Sequence, residues 1–341
     1  MIYTIEPDIY RITVDLPENP LKSLNSYVIT GGKRNLIIDT GFNRSESFSS
    51  LKRGIKELEL DMDKTDIFVT HFHADHSGLV SQIMSPQTRV FMGEIDFQLL
   101  SMSLLSEKKV WNAVEQNFSR EGYPLKELGY SKLYNPARNL VGALFESTTV
   151  QDGDTLPYGD GGLQCVMTPG HTPGHICLYD SKRQILFTGD HVLFDITPNI
   201  NTWEHLLYHI TPDITAGKNL PNSLQCYLES LQKVSSLPVK KALTAHRENT
   251  GDFQQRIKEL QLHHKNRLDD VKRIIMNSPG INGYQVASQM KWSIRVKSWA
   301  EFPQTQRWFA VGEAIAHLKH LVDSGEITLT VRDGINTYTL T

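Results

Sequence analysis

The sequence predicts an α+β protein in which two sheets pack face to face with helices outside, followed by a small unit of three helices and a hairpin. Three observations predict it. Short β-rich runs punctuated by turn residues fill 9–92 and return in 148–244, and each stretch carries a helical pattern as well. From Phe253 the apolar period becomes helical. The chain then closes on two β-rich runs around Asp333-Gly334, a strong hairpin signal. With 341 residues there is material for two domains, 1–252 and 253–341.

Ile9–Leu16, Asn25–Thr30 and Asn35–Thr40 read as a β-meander broken at Pro17-Glu18-Asn19-Pro20 and Gly31-Gly32. Phe48, Leu51, Ile55 and Leu58 fall at helical spacing, so Ser45–Leu60 reads as an amphipathic helix. Strands follow at 66–70 and Arg89–Met92. The insertion 94–147, with Trp111, Phe118, Tyr123, Tyr130 and Tyr134, either caps a site or forms a satellite helical pair. Thr148–Val150, Leu163–Thr168, Ile176–Tyr179, Gln184–Thr188 and Val239–Thr244 are further strands, with a helix at Leu220–Ser235. The tail places helices at 254–277, Gly283–Met290 and Thr305–Ser324, then strands Ile327–Val331 and Ile335–Leu340. Three helices and a hairpin fit a winged-helix-like layout.

A net charge of −3 excludes polyanion binding by bulk charge alone, although 253–341 carries +4 against −7 for the remainder. Three cysteines form no disulfide framework. No secretory signal and no run near the ~18 apolar residues of a membrane span is visible, so the expected location is cytoplasmic.

Thr70-His-Phe-His-Ala-Asp-His-Ser-Gly78 puts four metal-capable side chains, His71, His73, Asp75 and His76, after an apolar strand. In extended backbone His71, His73 and Asp75 would share one face, a turn at Asp75-His76 would direct the last two ligands towards a second position, and Ser77-Gly78-Leu79-Val80 would open a helix. Imidazoles with a carboxylate suit zinc, with iron or manganese as alternatives. Three later strand ends offer partners: Thr168-Pro-Gly-His-Thr-Pro-Gly-His175, Thr188-Gly-Asp-His191 and Thr244-Ala-His246-Arg247.

On His71-x-His73-x-Asp75-His76, then His171, Asp190 and His246, in that order over residues 5–250, the chain resembles the metallo-β-lactamase fold superfamily. The resemblance implies an αββα sandwich with two zinc ions per chain. His71, His73 and His171 would hold one, Asp75, His76 and His246 the other, with Asp190 bridging. Asp75, His76 and Asp190 are the residues expected closest to the chemistry. His175, His191, His205 and His209 match no ligand position, and His263, His264, His317 and His320 belong to the helical patterns of the tail.

Such a pair lowers the pKa of a shared water and polarises the substrate oxygen. The implied activity is hydrolysis of a small-molecule ester or thioester by metal-bound hydroxide. His73 stands where flavodiiron proteins place Glu, and the Pro-Gly-His repeat looks like glyoxalase II, whose glutathione-binding helices the tail does not resemble. The tail instead resembles that of lactamase-like hydrolases with a winged helix, some of which cleave single-stranded RNA. Persulfide-dioxygenase-like iron chemistry, RNA held on Trp292, Trp299 and Trp308, and a non-catalytic DNA-binding regulator are the alternatives. A homo-oligomer stays open.

Overall fold

The structure, a computed structural model, describes residues 1–105, 107–125, 142–210, 222–248, 250–294 and 296–341. It divides into two compact units. The first comprises Met1–Leu105, Pro136–Pro198 and Ser230–Ile257, the second Ser106–Asn135, Asn199–Glu229 and Lys258–Thr341. The second unit therefore draws on two segments from within 1–252 besides the tail.

In the first unit, β1 (Ile2–Glu6), β2 (Ile9–Asp15), β3 (Ser23–Ile29), β4 (Asn35–Ile38), β5 (Thr65–Val69), β6 (Val90–Gly93) and β7 (Thr148–Val150) form one sheet in sequential order. The pairings are antiparallel as far as β3–β4 and parallel from β4–β5 onward. The crossovers contain α1 (Ser45–Glu57), then α2 (Ala74–Ser77) with α3 (Val80–Ile83), then α4 (Glu94–Leu105). The second sheet runs β12 (Lys241–Thr244), β11 (Ile185–Gly189), β10 (Ile176–Asp180), β9 (Leu163–Met167), β8 (Thr155–Leu156).

Period-two alternation explains the layers. Val28, Ile37, Ile67 and Val69 point to the face covered by Leu51 of α1. Their neighbours Tyr27, Ile29, Leu36, Ile38 and Phe68 point to the other face, where they meet Cys165, Leu178, Phe187 and Leu243 of the second sheet. This is a two-sheet sandwich of the kind the resemblance implies. The short, partly exposed β1 and the two-residue β8 carry too little pattern to be expected from sequence.

The second unit contains α5 (Glu107–Arg120), α6 (Glu204–Ile210), most of α7 (Ser223–Ser235) and α8 (Phe253–Asn277), α9 (Gly283–Gln289), α10 (Gln304–Asp323) and the hairpin β13 (Ile327–Arg332)–β14 (Ile335–Leu340). Asp333 and Gly334 take φ of 50° and 79°, as a tight hairpin turn requires. Its core includes Phe118, Val271, Val286, Trp308, Val311, Leu318 and Tyr338, with Trp292 and Trp299 packed partly buried against it. The three tail tryptophans thus contribute to a core. So does Phe118 from the insertion, whose Tyr130 and Tyr134 lie outside the described residues.

Strand β5, which leads into the metal motif, is anchored by Asp66. This fully buried carboxylate accepts bonds from Arg34 Nε and Nη2 at 2.7 Å each, Arg89 Nη2 at 2.6 Å and the Tyr158 hydroxyl at 2.5 Å. Burial opposes its charge, but these donors outweigh burial and hold the carboxyl well below its usual range. Removing it leaves the Tyr158 hydroxyl and the partly exposed Arg34 and Arg89 without their shared acceptor. Asp66→Ala is expected to cost about 3 kcal/mol, seen as a lower urea midpoint at unchanged m; a loss below about 1 kcal/mol contradicts this.

Candidate metal centre

The parallel strands end together, and the motif begins where β5 stops. His71 follows by two residues, and His73, in extended backbone (φ −60°, ψ 148°), caps α2. Asp75 is therefore not on the extended face that a continued strand implies. The chain turns helical at Ala74, earlier than the expected Ser77, because His76 N–H and Ser77 N–H both bond back to the His73 carbonyl. Consecutive residues on a helix diverge by about 100°. Asp75 and His76 thereby leave the plane of His71 and His73 and reach a second location.

All seven expected side chains converge. His73 Nδ1 lies 3.0 Å from His71 Nε2 and 2.9 Å from His171 Nε2. His246 Nε2 lies 3.4 Å from Asp75 Oδ2, and His76 Nε2 lies 3.8 Å from the same oxygen. Asp190 stands between the groups. Its Oδ2 is 3.5 Å from His171 Nε2, while Oδ1 is 3.4 Å from His246 Nε2 and 3.7 Å from His76 Nε2. Potential ligand atoms of His71, His73 and His171, and of Asp75, His76 and His246, form two compact sets, and Asp190 also groups with His71 and His76.

The ring tautomers follow from partners that can only accept, or that have already spent their proton. His246 Nδ1 donates to the Ser23 carbonyl at 2.9 Å, and His76 Nδ1 to Asp39 Oδ2 at 2.8 Å. The Thr70 hydroxyl donates to Asp39, so it accepts from His71 Nδ1 at 3.1 Å. Each ring then turns its Nε2 inward, open to a metal or, on His76, to the proton that the surrounding carboxylates favour there. His76 Nε2, His246 Nε2 and Asp190 Oδ1 are buried atoms with no hydrogen-bond partner among the described residues. Buried acceptors facing one another without donors fit a bound cation, with imidazole and carboxylate donors of the kind zinc takes.

Electrostatics differ between the two groups. Burial opposes a proton on His76, but the Asp39, Asp75 and Asp190 carboxylates outweigh it and lift the ring to about 10. Burial and the neighbouring imidazoles push His71 far down and His73 to about 3. One half of the cluster attracts positive charge, and the other presents neutral lone pairs.

Three residues support the ligands; Asp39 and Asp96 had no sequence signal, whereas His175 stands in the Pro-Gly-His repeat. Asp39, at φ 61° just past β4, binds Thr70 N–H as well as His76. Asp96, in the first turn of α4, accepts from Phe72 N–H at 3.0 Å, the Thr172 hydroxyl at 2.6 Å and Gly174 N–H at 2.6 Å. It ties the loop of His71 and His73 to the loop of His171, and burial raises it to about 7 despite those donors. His175 accepts Asp190 N–H at 3.2 Å through Nε2 and donates to Thr168 through Nδ1. A Cβ at Gly189 would lie 2.6 Å from that Nε2, and one at Gly174 would lie 2.6 Å from Asp96 N, so both approaches need glycine.

Other histidines fall elsewhere. His191 is buried in the first unit, His205 belongs to α6 of the second, and the His209 side chain lies outside the described residues. Arg247, at φ 64°, donates to the Pro20 carbonyl, and its own carbonyl accepts from Asn25.

Comparison with known proteins follows the same lines. The profile described as Metallo-beta-lactamase superfamily matches residues 20–87 and 103–246, and that of the Metallo-beta-lactamase-like C-terminal domain matches 300–341. Acyl-coenzyme A thioesterase MBLAC2 of Homo sapiens is 30% identical over 178 residues, covering 50% of this chain and 58% of that protein. The probable metallo-hydrolase YqjP of Bacillus subtilis is 24% identical over 273 residues, covering 77% and 79%. A metallo-beta-lactamase family protein of Thermus thermophilus superposes with a TM-score of 0.80 at 23% identity, over 99% of this chain and 100% of that one.

Replacing Asp96 by Ala frees both ligand-bearing loops. Zinc affinity is expected to fall about 10–100-fold, measured by competition with a chromogenic chelator, while the fold persists by circular dichroism. Unchanged affinity contradicts the role given to Asp96.

Proposed function

The chain belongs to the metallo-beta-lactamase superfamily and is a hydrolase of that family, and on that premise we propose that it hydrolyses a small-molecule ester or thioester with two zinc ions. His71, His73 and His171 would hold one and Asp75, His76 and His246 the second, with Asp190 available to both. The observation that carries this reading is the posture of Asp190, whose two oxygens face different imidazole groups at 3.4–3.7 Å. When bound, the metals supply Lewis acidity and a water of lowered pKa.

The chain's own residues do the rest. Asp190 and Asp75 bring two negative charges that offset half the charge of two dications, and Asp75 would orient the attacking water. Asp39, Thr70 and the Ser23 carbonyl keep His76, His71 and His246 in the tautomers that offer Nε2. Asp96 and His175 hold the loops and the Asp190 backbone in place. Water adds to the acyl carbon, the carbon–sulfur or carbon–oxygen bond breaks, and the thiol or alcohol leaves with a proton.

Thioesters rank first because a relative 30% identical over 178 residues is named as an acyl-coenzyme A thioesterase. The winged-helix-like reading of 253–341 supports RNA hydrolysis less well, since Trp308 lies in a core and Trp292 and Trp299 pack against it. Three buried free thiols fit a reducing cytoplasm.

The test is a panel of acyl-coenzyme A thioesters, carboxylic esters, phosphodiesters and single-stranded RNA, with thiol release as the thioester readout. Thioester turnover is expected to vanish on chelation and return with zinc. Asp190→Asn should lower kcat/KM at least ~100-fold, given the several kcal/mol that paired metals contribute. Zinc-loaded protein that cleaves RNA but no ester or thioester overturns the reading.

A further inference from the structure

The second unit contains another convergence of imidazole and carboxylate, unrelated to the seven residues above. His263 and His264 lie on α8, and Glu313 and His317 on α10. One potential ligand atom from each of His263, His264 and Glu313 lies within 4.8 Å of the others.

The proton arrangement there can be derived. His317 Nδ1 is 2.7 Å from the Glu313 carbonyl, which only accepts, so Nδ1 carries the hydrogen and Nε2 of the neutral ring is bare. His264 Nδ1, 3.1 Å from that Nε2, must donate to it. His264 is fully buried, and its remaining Nε2 is a lone pair with no hydrogen-bond partner among the described residues. His263 Nε2 is likewise a buried, unpartnered atom, 4.0 Å from Glu313 Oε1. An imidazole that donates through one nitrogen and keeps the other, buried and bare, beside a second imidazole and a carboxylate has the makings of a supported metal ligand.

The carboxylate is held for the same purpose. Arg267 Nε donates to Glu313 Oε1 at 2.7 Å, while its guanidinium also bonds the Lys291 carbonyl and lies 4.2 Å from the Trp292 ring centre. Burial opposes charge on Glu313, but His263 and Arg267 outweigh it and hold the group at about 2.

We propose that His263, His264 and Glu313 form a second, structural metal site that takes a divalent cation of the zinc class and clamps α8 to α10. Two imidazoles and one carboxylate leave a coordination position for water. Because Arg267 shares the carboxylate, this site fills at higher free zinc than the cluster at the strand ends.

Equilibrium dialysis of the full chain against buffered zinc tests it, comparing wild type with His263→Ala and Glu313→Gln. His263 is half-exposed, so its variant tests the site with little risk to folding, and circular dichroism checks both. Wild type should hold about one zinc per chain more than either variant, and its thermal midpoint should rise over the same zinc range while theirs does not. The reading is a difference between proteins sharing an intact His71–His246 cluster, so it does not depend on how many metals that cluster takes. Equal zinc content and equal thermal shifts in folded wild type and variants would overturn the proposal.

Discussion

A single carboxylate set between two groups of imidazoles is the constraint on which the first unit depends. Asp190 can stand there only if β11 ends beside β5, and if the loops after β5, β9 and β12 all turn toward the same point. Facing lone pairs and carboxylate oxygens in a buried space repel one another. Such an arrangement needs both a rigid frame and a positive charge to make it favourable. The sandwich supplies the frame: β4, β5 and β6 are parallel and buried on both faces, so their ends are fixed by packing.

The frame reaches the ligands through a small set of polar contacts. Asp39 sets the His76 ring and the backbone at Thr70, so the end of β4 is linked to the beginning and end of the motif. Asp96 links two ligand loops, and His175 fixes the backbone of the bridging residue. Burial makes each of these groups costly unless its partners are present. Displacing one loop therefore removes satisfaction from the others, and the ligand geometry is held cooperatively.

Most of this was legible in the chain. The continuous apolar runs Leu36-Ile37-Ile38 and Ile67-Phe68-Val69 marked strands, and in the structure their alternate residues point into two different cores. Metal-capable residues stood out where apolar strands end, and the family resemblance picked the seven from among them. Asp39 and Asp96 did not, because a lone carboxylate has no spacing that distinguishes a support from a surface residue. The four-residue helix Ala74–Ser77 is too short to show a period, so Asp75 was expected on extended backbone. The segments 106–135 and 199–229 group with the tail through contacts distant in sequence, which local patterns do not encode.

The most direct measurement is anomalous scattering at the zinc edge from crystals of the zinc-loaded protein. Two peaks about 3.5–4 Å apart are expected, one within bonding distance of His71, His73 and His171 and one of Asp75, His76 and His246, each also within reach of Asp190. A single peak, or none at this cluster, would contradict the paired-metal account.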